Sequence, residues 1–219
     1  MSSRVIVSDR LRSRTGDAEK PSAGAEGNER LTSIAGALLF VLLAAEGVTI
    51  LSVRSLFTAH AFIGVLLIGP LSIKFGSTGY RFFRYYTGSE AYHRKGPPQL
   101  VLRILAPILV ASTVALFGTG IALLVLGPNA GHSLIGLHKA SFVIWFIVAT
   151  VHVVYYVWRV PGIVSRDWLV DRLHAPGAWQ RLAIAGAGLT LGVVAAVAFL
   201  PAMNTWSTWF HLFHHHFDG

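Results

Sequence analysis

Residues 138–152 read HKASFVIWFIVATVH, two histidines bracketing a segment that is otherwise almost wholly apolar after Lys139. On a helix, positions fourteen apart fall about 40° short of four full turns and lie about 21 Å apart along the axis. His138 and His152 therefore leave one face at two depths. An imidazole buried in hydrocarbon is costly without a partner, so both rings are expected to face other helices. A hydrogen bond from a neighbouring Ser, Thr or Tyr is one way to satisfy such a ring. Axial ligation of a haem iron is another, because a haem is held by imidazoles on facing helices. His60, in HAFIG, is expected at the depth of His138, so that a haem fits between them.

The level of His152 is less symmetric. Lys74 follows His60 by fourteen residues and falls on the same helix face, at the depth of His152. Its amine can pair with a haem propionate, protonate a quinone or, rarely, ligate iron; it can also snorkel to the interface. His93, in a basic connection, is a second candidate if that segment folds inward. Glu46 is the one acidic residue inside a span and can hold His60 by a hydrogen bond, relay protons or snorkel outward. Arg81 and Arg84, with Tyr80, Tyr85 and Tyr86, form an aromatic–basic cluster. It suits lipid head groups, and its arginines suit haem propionates. The terminal HLFHHHFDG places His211 and His215 one turn apart among His214 and His216. With no acidic or cysteine partner, that cluster reads as adventitious metal binding.

The elements that must position these residues are membrane helices. The chain has 219 residues, 53% hydrophobic and 13% charged, against about 25% charged in a soluble domain. Five apolar stretches, at roughly 31–53, 55–80, 100–126, 134–160 and 182–201, reach the ~20 residues a helix needs to span. Strand-like alternation is absent, and open-ended spanning demands helices. Residues 1–30 read as a polar, disordered tail and 202–219 as a His- and aromatic-rich tail, with Trp206 and Trp209 in an interfacial belt. Helix kinks are expected at Pro70 and Pro107, breakers at Gly127 and Pro128, and close packing on Gly186, Gly188 and Gly192. Fifteen of the eighteen Lys and Arg lie in the N-terminal tail and in connections 81–103 and 159–181. The positive-inside rule then puts the N-terminus in the cytoplasm and the C-terminus outside a bacterial-type plasma membrane. This placement accounts for the net charge of +8 through orientation and anionic lipid, without nucleic acid. The absence of cysteine excludes thiolate-held clusters and covalently attached haem.

At His60, His138 and His152 the pattern resembles the transmembrane cytochrome b subunits of respiratory oxidoreductases, the formate dehydrogenase gamma and nickel–iron hydrogenase types. The resemblance covers about residues 31–160 and implies that the first four of five spans form a four-helix bundle holding one or two b haems. It further implies electron transfer between a quinone and a partner oxidoreductase that does the substrate chemistry. In the formate dehydrogenase type the first helix gives the inner haem its second histidine; here residues 31–53 hold none, which leaves that ligation open. The stretch GSTGYRFFRYYTGSEAYHRKGPP is similar to membrane proteins associated with molybdopterin oxidoreductases. Two other classes stay open on the residues alone. One is a small transporter or proton path through Lys74, Glu46 and His152; the other is a haem-free anchor or assembly subunit. A histidine-cluster hydroxylase is disfavoured, because HxxHH patterns are absent from the inner connections.

Overall fold

The computed structural model describes residues 23–93, 100–157 and 177–214. Among these residues every regular element is a helix. Helix α1 spans Ala23–Leu51 and α2 spans Phe57–Tyr86, followed by a single turn, α3, at Glu90–His93. Helix α4 spans Leu100–Gly131, α5 Leu134–Val157, α6 Ala178–Ala198 and α7 Leu200–His214. Helices α1, α2, α4, α5 and α6 are long and apolar enough to cross a membrane. Large apolar side chains such as Val41, Ile147 and Leu191 face outward from them. That exposure suits lipid and would be unfavourable in water. The chain is an all-α, multi-pass membrane protein.

Two stretches read as tails are helical. Helix α1 begins at Ala23, inside the polar N-terminal segment, and residues 1–22 lie outside the described residues. Its extra turns are tied to α2 by Asn28, whose side-chain amide donates to the Ser77 carbonyl at 2.9 Å. The C-terminal segment forms α7 because it has an apolar face to bury. Met203 and Trp206 are almost fully enclosed, and the Trp206 indole N–H donates to the Leu123 carbonyl at 2.9 Å. Trp206 is thus a core residue, its ring tilted against those of Phe57 and Phe210.

Helix α2 is the axis of the fold. It packs against α1 on one side and α6 on another, while α4 and α5 pair as a hairpin. Helix α7 contacts both α2 and α4 and straps the two groups together. Their shared core holds Ala61, Val65, Leu66, Leu124, Ala196, Met203 and Trp206. Helices α2 and α6 approach closely because small residues face each other: a Cβ on Gly69 would run into the Gly188 carbonyl, and one on Gly192 into the Leu66 carbonyl. Without a hydrophobic drive in lipid, such backbone proximity is what holds helices together. Gly186, expected at the same seam, is exposed with nothing near it. Pro70 and Pro107 both stay within continuous helix; the non-helical residue in α4 is Gly127, at φ 69° and ψ 175°, followed by Pro128.

Within the hairpin, the Trp145 indole N–H donates to Thr113 Oγ1 at 3.0 Å across α4 and α5. Thr113→Val should remove that bond at a cost of about 1 kcal/mol, measurable as a lower unfolding midpoint in detergent. At the far end of α2, Tyr92 is buried edge-on against Tyr80, and its hydroxyl has no hydrogen-bond partner among the described residues. Burial, then the Tyr80 phenol, push the Tyr92 phenol above its ordinary range, against the pull of Arg84 and Arg81. A raised folded-state value favours the neutral form. Its contribution to stability is therefore complete below the ordinary tyrosine range and lost as pH rises through the folded value. An alkaline titration should show this phenolate forming above the ordinary tyrosine range, and Tyr92→Phe should remove that late-forming signal.

Candidate functional site

The inward face of α5 carries His138, Ser141, Trp145 and His152, while the positions between them, such as Ile144, Ile147 and Val151, are exposed. Helix α2 presents His60 and Lys74. The imidazoles of His60 and His138 lie within electrostatic reach of each other, as do Lys74 and His152. At each level expected from the fourteen-residue spacing, an α2 side chain thus lies in the electrostatic neighbourhood of one on α5. Among the described residues these two helices make at most sparse backbone contact.

At the first level, Glu46 on α1 reaches His60. Its Oε1 is 2.9 Å from His60 Nδ1, and Thr49 Oγ1 is 3.2 Å from the same nitrogen. The Thr49 hydroxyl donates to the Glu46 backbone carbonyl at 2.6 Å, one turn earlier on α1, so the threonine serves the ring as acceptor. The pair is largely enclosed, with side-chain exposures of 21% for His60 and 13% for Glu46. Of the three roles open to Glu46, the geometry is that of a carboxylate holding an imidazole.

His138 is held in the same manner from the other side. Its Nδ1 is 3.0 Å from Thr119 Oγ1 on α4. That hydroxyl has one proton, and the Ala115 and Leu116 carbonyls, at 2.8 and 2.9 Å, compete for it. Its lone pair is left to accept from Nδ1–H. Gly120 makes the room: a Cβ there would sit 3.2 Å from His138 Cε1. Each ring thus has its Nδ1 directed to a neighbouring side chain, and His138 is also hydrogen-bonded to the backbone of Leu116. Hydrogen bonding of one ring nitrogen to a carboxylate or hydroxyl is how metal-binding histidines are oriented and their tautomer fixed.

The second level has a different chemistry. Lys74 Nζ donates to the Thr32 carbonyl on α1 at 2.9 Å, with Gly36 beside it leaving space. The lysine is half-buried and turned across the helix interface, which is not a snorkelling arrangement. His152, on α5, lies within electrostatic reach of it. His93 is exposed and stacked on Tyr85 at 4.7 Å, so it does not fold inward toward His152. Arg81 and Arg84 are exposed, and Arg84 donates to Ser89 Oγ at 3.2 Å. Their surroundings are those of a surface anchor. His215 and His216 lie outside the described residues, as do the side chains of His211 and His214.

Thr49, Thr119, Thr32 and Gly36 did not stand out in the sequence. The available signal was weak: isolated hydroxyls and glycines inside apolar spans, which ordinarily bond their own helix. Among the described residues no three His, Cys, Asp or Glu side chains gather as a metal site. Haem iron, however, asks the protein only for its axial donors. No family model, curated protein or solved structure matches the chain.

Proposed function

We propose that the protein is a membrane cytochrome b, with His60 and His138 as axial ligands of a b haem. It would carry electrons between a quinone and a partner oxidoreductase of the molybdopterin type docked at the membrane surface. The supporting observation is two intramembrane imidazoles on different helices, within electrostatic reach of each other and each secured through Nδ1 by a neighbour. Bound haem would supply a one-electron iron couple. The chain's own part is to fix ligand tautomers through Glu46, Thr49 and Thr119, and to exclude water with the surrounding apolar helices. A four-helix arrangement for this site would draw on α1, α2, α4 and α5, with α6 buttressing α2. The clustering of basic residues in the N-terminal segment and two connections supports a plasma-membrane orientation with the N-terminus cytoplasmic.

A reduced-minus-oxidised spectrum of the purified protein tests the proposal; a sharp b-type α band is expected. The second reading, a proton or ion path, is favoured by one observation: Glu46, His60, Lys74 and His152 place titratable groups at two depths. It predicts a colourless protein and proton flux in proteoliposomes that Glu46→Gln abolishes.

A further inference from the structure

Where the end of α4 meets α7, a groove of about 510 Å³ opens at the boundary of the spans. That volume is within the roughly 300–1,000 Å³ of small-molecule sites. One wall follows the break at Gly127, whose φ of 69° suits glycine, and carries Pro128 and Asn129. The other is α7. The walls are clamped without a ligand: the Trp206 indole N–H bonds the Leu123 carbonyl, and a Cβ on Gly131 would lie 3.3 Å from the Trp206 ring. Trp209 is fixed in turn, edge-on to Trp206 and tilted against His132. The lining combines the carboxamides of Asn129 and Asn204, the hydroxyls of Thr205 and Thr208, and the Trp209 indole. Among the described residues no charged side chain lines it. We infer that this groove binds an uncharged sugar, with one glycosyl ring against Trp209 and its hydroxyls bonded by the two asparagines and two threonines.

The donor set decides the ligand class. A pyranose has a face of C–H bonds, which suits the negative face of an indole, and a rim of hydroxyls that donate and accept together. A carboxamide answers with two donors and an acceptor. Thr205 donates to the Pro201 carbonyl at 3.0 Å and Thr208 to the Asn204 carbonyl at 2.9 Å, so each threonine oxygen has its lone pairs left to accept from a sugar hydroxyl. A phosphate would call for Arg or Lys, and a choline group for a cage of several aromatic rings; the lining has one indole and no cation. The groove lies at the end of the bundle where α4 and α6 finish. A glycolipid headgroup in the adjoining leaflet and a soluble glycan can both reach it there, and both present the same glycosyl chemistry. The site shares no residue with the His60–His138 level and stands apart from the haem reading.

The test uses the full chain in phosphatidylcholine nanodiscs, in two arms. One titrates soluble maltose calorimetrically. The other adds diglucosyl diacylglycerol to the nanodiscs and counts the lipid retained per chain by native mass spectrometry, with phosphatidylglycerol as the anionic comparison. Saturable binding is expected in at least one arm: the glycolipid arm alone identifies a headgroup site, and maltose binding a site open to soluble glycans. Asn204→Ala should weaken binding by about fivefold or more, the scale of one lost hydrogen bond. Thr208→Phe, which fills the groove while keeping both asparagines, should weaken it at least as much. Both positions are exposed, so neither change removes a core contact, and wild-type helicity checks the fold. Val194→Ala, on the exposed face of α6, should leave binding unchanged. No binding in either arm overturns the inference, as does full affinity in both Asn204→Ala and Thr208→Phe. Retention of phosphatidylglycerol as strong as that of the glycolipid, and lost in the same two variants, overturns it too. A colourless protein that binds the sugar through Asn204 removes the haem reading and leaves this site standing.

Discussion

Gly69→Leu is expected to disrupt the fold more than any other single change along the α2–α6 seam. The Gly69 position meets the Gly188 carbonyl directly, with the Gly192 amide nitrogen 3.2 Å from where a Cβ would sit. Those obstacles are backbone, so no rotamer change relieves them. The helices must separate, and the loss spreads to Leu66 and Ile73, which sit over Gly192 and Gly188. Overpacking of this kind costs about 3 kcal/mol or more when the neighbour cannot yield. A chemical unfolding titration in mixed micelles would measure it. Gly186→Leu is the matched control, because that glycine is exposed with open space around it, and it should change stability little. Equal effects at 69 and 186 would show that α2 and α6 do not meet through this seam.

Glu46→Ala should weaken haem retention by about ten- to a hundredfold, the range seen when a residue orienting a metal-bound histidine is removed. The carboxylate at 2.9 Å is the strongest partner His60 has, and Thr49 at 3.2 Å is a longer, neutral acceptor. Without Glu46 the ring can rotate or exchange tautomers, presenting Nδ1 in place of Nε2. Glu46→Gln keeps an acceptor of the same length without the charge. It should retain haem nearly as well as wild type, with a higher midpoint potential, since a carboxylate on the ligand stabilises the ferric state. A haem-transfer assay to apomyoglobin and a redox titration separate the two effects. Loss of haem equal in Glu46→Gln and Glu46→Ala would point to a charge requirement instead of ring orientation.

The five spans were legible because a bilayer imposes a length and a composition that few other environments do. The two depths were legible because fourteen residues nearly close four helical turns, so His60 with Lys74 and His138 with His152 had to share faces. What the sequence concealed follows from how weakly a single chain encodes tertiary neighbours. Nothing in the spans announces that α6 packs on α2; that depends on Gly188 and Gly192 meeting Gly69, while the equally small Gly186 points away. Helix α7 was hidden because its apolar face, Met203 and Trp206, is short and its polar residues suggest a tail. Thr49 and Thr119 were hidden because threonines in apolar helices usually bond only their own backbone. Here they do that and accept from an imidazole as well.

The most direct test is the molar ratio of haem to protein, by pyridine haemochrome, in the wild type and in His60→Ala and His138→Ala, each checked for wild-type helicity. The paired-imidazole site predicts about one haem per chain at that level, lost in either variant alone because one axial ligand cannot retain it through purification. A wild type without haem, or both variants keeping the full complement, would contradict it.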